Sequence, residues 1–230
     1  MSGVPGAPAR RGLVELLRLD RLEGPSNGPA DDPQAAPQAG SPTGSPTDPS
    51  GGEAGDESAG GLDDAVAARN ARVRAEVLGL RLAPGQGRFV DPPVATLPKA
   101  DADPGQVPFA VLVDGETAGF GILNRAVPSG TGIVPGDGSS LTTTPERAVM
   151  LRSFLIEVRW QGEGVARRAC RLLPALARVA VPEAEEILAT VKAANPAGYR
   201  AYIAGGFEDT GRRYLGADAG LQHVLSMRLA

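Results

Sequence analysis

Apolar residues along the chain keep two rhythms, and one junction joins them. Arg147 to Val158 is an apolar run rich in branched residues that reads as a buried strand. Val165 to Ala180 places apolar residues at Val165, Ala169, Leu172, Leu173, Leu176 and Ala180, which is helical spacing. Strand and helix meet through Gln161-Gly162-Glu163-Gly164, a glycine turn. Upstream, Gly12 to Leu19 predicts a short strand. Asp63-Asp64 predicts the opening of a helix with apolar positions at Val66, Val73, Val77, Leu78 and Leu80. Arg88 to Pro93 is a proline-bounded connector, and Val94 to Ala102 predicts a second, short helix. Pro108 to Val113 and Thr117 to Leu123, around Asp114-Gly115, predict a hairpin. Downstream, Glu186 to Lys192 predicts another buried strand, and Arg212 to Leu215 and Leu221 to Leu229 predict two closing strands. Between them, Asn195, Pro196 and Gly205 mark the cap, first turn and exit of a short helix.

Two segments interrupt this order. Arg125 to Glu146 is rich in Gly, Ser, Thr and Pro and reads as a long loop bordering a site. From Gly24 to Gly61 there is no Val, Ile, Leu, Met or aromatic residue, and six acids stand without a Lys or Arg. That composition cannot bury enough apolar surface to offset its ordering entropy, so residues 24–61 are expected to be a disordered acidic Pro/Gly/Ser-rich segment. It is either an insertion between the first strand and the first helix or a linker. Insertion into a single domain spanning 11–230 is preferred, because the core otherwise lacks its first strand.

Composition then narrows the chemistry. The formal charge of −4 among 230 residues comes from that segment, since removing its six acids leaves 21 acids against 23 basic residues. Cys170 is the one cysteine, which excludes an internal disulfide and a cysteine-rich metal site, and its helical position predicts a packed thiol. No apolar run reaches the roughly 20 residues of a membrane span. Arg10-Arg11 is followed by an apolar stretch that Glu15 and Arg18 interrupt, so a cytoplasmic protein is expected. Phosphate-loop and nucleophile-elbow patterns are absent, and His223, the one histidine, reads as half-buried in the last strand.

A glycine turn entering a helix leaves backbone N–H groups unpaired at the positive end of the helix dipole, where phosphate can be held. Gln161-Gly-Glu-Gly-Val-Ala166 resembles the Gln/Arg-x-x-Gly-x-Gly/Ala signature of the GNAT superfamily of N-acetyltransferases. Asn195, Tyr202, Gly206 and Phe207 stand in the register of a second element of that family, in the family's order. Phe89 to Pro93 with Pro108-Phe109-Ala110 and Gly119-Phe120 resembles bacterial members related to spermidine/spermine acetyltransferases.

The resemblance implies an α/β fold: a mixed, mostly antiparallel central sheet flanked by helices and splayed where acetyl-CoA binds. It implies acetyl-CoA as co-substrate and no metal. Backbone groups near Ile156 and Val158 would pair with the pantetheine arm, and backbone amides of Gly162, Glu163, Gly164, Val165, Ala166 and Arg167 would take the pyrophosphate, with Gln161 shaping the turn. Asn195 would cap its helix and contact CoA. Tyr202 would be the general acid, a phenol being protonated at neutral pH, with Tyr199 one turn earlier as substitute. The general base is not assigned: the strand offers Met150 and Arg152 where many relatives carry an acid, and Glu157 lies near the turn. The function implied is acetyl transfer to a primary amine, a polyamine-like small molecule if Asp114, Glu208 and Asp209 face a cation. A protein or peptide N-acetyltransferase, or a non-catalytic acyl-CoA-binding regulatory module, is the alternative. The expected partner is a small-molecule amine, with no nucleic acid and no membrane, and a homodimer is left open.

Overall fold

The computed structural model describes residues 12–20, 57–127, 141–216 and 220–229. Its elements are β1 (Val14–Arg18), α1 (Glu57–Leu78), α2 (Pro93–Asp101), β2 (Gln106–Val113), β3 (Glu116–Asn124), β4 (Ala148–Ile156), α3 (Val165–Ala180), β5 (Glu186–Lys192), α4 (Pro196–Ala204), β6 (Glu208–Gly216) and β7 (Gly220–Arg228). The seven strands form one sheet in the order β1-β2-β3-β4-β5-β7-β6. Every neighbouring pair is antiparallel except β4 with β5, which α3 connects as a parallel crossover. This is the mixed, mostly antiparallel α/β architecture that the resemblance implied.

Local chemistry explains the sharpest boundaries. Asp114 (φ 50°) and Gly115 (φ 80°) both take left-handed backbone, the requirement of a two-residue turn that matches strand twist, and they close the β2–β3 hairpin. Asn195 accepts from the Gly198 N–H at 3.0 Å and Pro196 follows at the first helical position, so α4 begins where the pattern placed it. α3 runs its full length through Pro174. The backbone hydrogen bond that proline forfeits is offset by the burial of Leu173, Leu176, Ala177 and Ala180 on the side facing the sheet.

Strand alternation divides the core into two faces. On one, Phe109, Val111, Leu151, Ala189 and Val191 meet α3, with Tyr199 and Tyr202 of α4 packed alongside. On the other, Ala110, Leu112, Phe120, Ile122 and Leu155 meet Val73, Val77 and Leu97 of α1 and α2. A third cluster, Leu141, Ala148, Met150, Leu188 and Val224, continues this second face toward β5 and β7. Burial of each such aliphatic side chain contributes about 1.5–3 kcal/mol.

Several expectations are corrected. α1 starts at Glu57, ahead of Asp63-Asp64, so its first residues, 57–61, overlap the end of the segment expected to be disordered. Residues 24–56, and with them the rest of that expectation, lie outside the described residues, as do Arg10 and Arg11. Val66 and Leu78 are 57% and 44% exposed, because the stripe of α1 that meets the sheet is only wide enough for Val73 and Val77, with Leu80 packing just past the end of the helix. β6 begins at Glu208, four residues before the expected start, because Glu208 and Asp209 pair with Ser226 and Leu225 across a register shift. Of the long loop after β3, residues 128–140 lie outside the described residues. Its described end, Leu141 and Thr142, is buried against β4 and β5.

Candidate functional site

The two central strands part company along their length. β4 and β5 pair only from Ala148↔Glu186 to Leu151↔Ala189. Beyond that, Arg152–Ile156 of β4 stays paired with β3, Thr190–Lys192 of β5 stays paired with β7, and the two strands leave an open split. The cause lies in β4. Ser153 takes φ 51°, and the β3–β4 register slips between Phe120/Ile122 and Leu155/Arg152, which is a bulge that bends β4 just after its last pair with β5.

The glycine turn lies at the β4 end of this split. Gly162 (φ 81°) and Gly164 (φ 70°) occupy left-handed backbone that side chains rarely adopt. Gly164 is the N-cap of α3, without a side-chain cap and with no acid in the first turn. The first helical bond runs from the Arg168 N–H to the Gly164 carbonyl at 3.1 Å, so the Val165, Ala166 and Arg167 N–H groups precede any helical partner. A β-carbon at Gly162 would meet nothing within 4 Å, so the space in front of the turn is open. Arg167 is exposed there, whereas Arg168 turns away and donates to the Gly12 carbonyl. Gln161 is half-buried and donates through Nε2 to the Ile156 carbonyl and to Gln86 Oε1, both at 2.8 Å, so its side chain braces the turn. That bond occupies the Ile156 carbonyl, and the Val158 N–H donates to the Arg81 carbonyl at 3.2 Å. Of the backbone groups expected to meet a pantetheine arm, these two are therefore already engaged.

Across the split from the turn stands α4. Tyr202 packs edge-on to Phe207 (centroids 5.4 Å) and tilts against Phe154 of β4 (5.9 Å), so an aromatic contact joins α4 to the bulged strand. Burial pushes the Tyr202 phenol well above its ordinary value, and the Cys170 thiol beneath it adds to the shift. Cys170 is itself fully buried, its thiol pushed up to about 12 by burial, which makes it an inert packing residue. The backbone of α4 must sit close on α3 here, since a β-carbon at Gly205 would come within 2.4 Å of the Cys170 β-carbon.

Tyr199, the substitute candidate, is committed elsewhere. Its hydroxyl donates to Asp209 at 3.1 Å, and its ring lies 4.7 Å from that of His223, whose Nδ1 is 3.0 Å from the same carboxylate. Partial burial would raise the Asp209 pKa, but the Gly211 N–H, His223, Tyr199 and Arg213 together outweigh it and hold the carboxyl below the usual range. Asp209 is thereby consumed in anchoring α4 to β6 and β7. Asp114 is equally engaged, accepting from the Leu13 N–H at 2.8 Å at the far end of the hairpin. Glu157 is buried and paired with Arg159 and, at 3.9 Å, with Arg81. It lines a cavity of about 550 Å³ between α1, the hairpin turn and the exit of β4, to which neither β5 nor α4 contributes. On the α1/α2 face of β4, Met150 is buried and Arg152 exposed.

The spacing of the motifs thus brings together Gln161 to Arg167 and Tyr202 around one split. Two contributors carried no signal of their own in the sequence: Phe154, which meets Tyr202, and Gln86, which holds Gln161. Among the described residues no group of His, Cys, Asp and Glu could hold a metal ion, and no helix is long and apolar enough to cross a membrane.

No protein-family model matches the chain, and no curated protein sequence matches it. Solved structures do. A structure of the aminoglycoside acetyltransferase AAC(6')-Ib with coenzyme A is 20% identical over 69% of this chain and 88% of that one, with a TM-score of 0.50. The GNAT domain of S. lividans PAT is 17% identical over 69% and 86% of the two chains, with a TM-score of 0.48. Spermidine N-acetyltransferase from Vibrio cholerae, in complex with CoA and spermine, is 15% identical over 60% and 75%, with a TM-score of 0.42. Identities this low establish the shared fold and nothing finer.

Proposed function

From a fold shared with GNAT acetyltransferases, we propose that this protein moves acetyl from acetyl-CoA to the nitrogen of a primary amine. The observation that carries the reading is the split between β4 and β5, with an uncapped glycine turn at one wall and a protonated phenol at the other. The turn aims the N–H groups of Val165, Ala166 and Arg167 at a pyrophosphate, with the left-handed glycines Gly162 and Gly164 shaping the approach and no acid in the first turn of α3. Arg152–Ile156 and Thr190–Lys192 do not pair with each other, which leaves room for an extended pantetheine arm to lie between the strands. Tyr202 stands beside that path. As the amine nitrogen attacks the thioester carbonyl, the C–S bond breaks and the Tyr202 hydroxyl gives its proton to the departing sulfur, while water carries off the proton lost by the amine. Holding both reactants in one cleft supplies much of the acceleration. Asn195, already spent on the Gly198 N–H, serves by fixing α4 and hence Tyr202.

The acceptor is best read as a small free amine. Two of the acids that would favour a polyamine are occupied, Asp209 by Tyr199, His223 and Arg213 and Asp114 by the Leu13 N–H, so the polyamine reading rests on the sequence resemblance to spermidine/spermine enzymes. Thiol release from acetyl-CoA, measured with spermidine, an aminoglycoside and a lysine peptide, tests reaction and acceptor together. Release with a small free amine is the expected result; release with the peptide alone would reassign the acceptor to protein. Silence with every amine alongside tight CoA binding would overturn the catalytic reading in favour of a binding module. Tyr202→Phe should lower turnover by about 10²–10⁴-fold, the usual worth of a positioned acid, with CoA affinity retained.

A further inference from the structure

The connector between α1 and α2 crosses the split on the α1/α2 face and is fastened on both sides of it. On the β4 side, Gln86 and Gln161 form a reciprocal amide pair, with Gln86 Nε2 donating to Gln161 Oε1 at 3.0 Å and Gln161 Nε2 donating to Gln86 Oε1 at 2.8 Å. The orientation of both amides is dictated by their other partners. The Ile156 carbonyl can only accept, so it requires the Gln161 nitrogen; the Ala83 N–H can only donate, at 3.2 Å, so it requires the Gln86 oxygen. The Arg81 carbonyl adds a backbone bond from the Val158 N–H. On the β5 side, Val191 points into the α3 core, so Lys192 emerges on the opposite face, where its Nζ donates to the Arg88 carbonyl. Eight residues of chain, Arg81 to Arg88, therefore tie the exit of β4 to the tip of β5 over the gap where those strands no longer pair.

We infer that Gln86 is a positioning residue for acetyl-CoA: it holds Gln161, and through Gln161 the glycine turn, in the shape that receives the pyrophosphate. Gln86 stands 75 residues from Gln161 in the chain, and none of its atoms comes within 4 Å of where a β-carbon at Gly162 would sit. Its effect passes through the amide pair. Removing it leaves the Gln161 oxygen without its donor and frees the side chain that braces residues 161–164. The turn then samples more conformations and loses affinity for the group it cradles. The inference rests on the reading of that turn as the pyrophosphate site.

The test uses the full chain and three variants, Gln86→Met, Gln161→Met and the double substitution, methionine keeping the length of the side chain without its hydrogen bonds. Calorimetric titration with CoA should show about a tenfold rise in Kd for Gln86→Met, the worth of one to two lost hydrogen bonds, with the melting temperature nearly unchanged. The double variant should bind no more weakly than Gln161→Met alone, because the two amides act as one unit. With acetyl-pantetheine, which lacks the pyrophosphate, the same substitution should leave kcat/KM within twofold of the parent. Unaltered CoA affinity in Gln86→Met, or an equal penalty with acetyl-pantetheine, would overturn the inference while leaving the acetyltransferase reading intact. Failure of the parent chain to bind CoA would overturn both.

Discussion

Tyr202 is where the proposed chemistry is most exposed to test, because on that proposal its proton stays on the phenol until the sulfur departs. Burial among Phe154 and Phe207 raises its pKa above the ordinary value of about 10. The sign follows directly: an acid whose pKa is raised stays protonated further into alkaline solution. A plot of kcat/KM against pH should therefore show no descending limb below about pH 10, and a fall near pH 8 would show that some other group donates the proton. Ser153 makes a complementary point about single residues. One serine in left-handed backbone costs on the order of 1–2 kcal/mol, and here it sits at the residue where β4 stops following β5.

At the level of elements, α4 owes its position to a carboxylate on a different hairpin. Asp209 receives Tyr199, His223, Arg213 and the Gly211 N–H, so helix, β6 and β7 meet at one pair of oxygens. Asp209→Ala should cost about 1–3 kcal/mol in chemical denaturation, since it strands several buried or half-buried donors. Its pKa is depressed on folding, so the unfolded chain binds the proton more readily. The stabilisation is complete above the unfolded value of about 3.9 and is lost as pH falls through the lower, folded value. Asp209→Asn should accordingly flatten the acid limb of a stability–pH curve; an unchanged limb would mean that other carboxylates set it. The same site shows why some features could be read in advance and others could not. Asn195-Pro196 and Asp114-Gly115 act on their own backbone within three residues, and their elements begin and turn where local pattern puts them. The commitment of Asp209 to a helix and a neighbouring strand, and of Gln161 to a residue far upstream, depends on ladder register, which no short window contains. Hence the glycine turn and Tyr202 were legible as candidate residues, while the groups that hold them still were not. The outward-facing Val66 and Leu78 illustrate the converse error, in which apolar spacing within one helix overstates the width of the stripe its partner can cover.

Taken whole, the molecule is two antiparallel half-sheets, β1-β2-β3-β4 and β5-β7-β6, which meet along four residue pairs and share the core beneath α3. Fewer ladder bonds cross that seam than hold either half together, so it is the natural place for the native state to breathe. A ligand that lay along the seam and paired with both edges would work as a missing strand and stitch the halves into one cooperative unit. Stabilisation by such a ligand grows with its concentration over Kd, about 2.7 kcal/mol at a hundredfold excess. Native-state hydrogen exchange reads this residue by residue. Slowing by CoA should concentrate at the backbone amides of Arg152–Ile156 and Thr190–Lys192 and fade toward β1 and β6. Uniform slowing across all strands would mean that the two half-sheets already open together, and that the seam is no weaker than the rest.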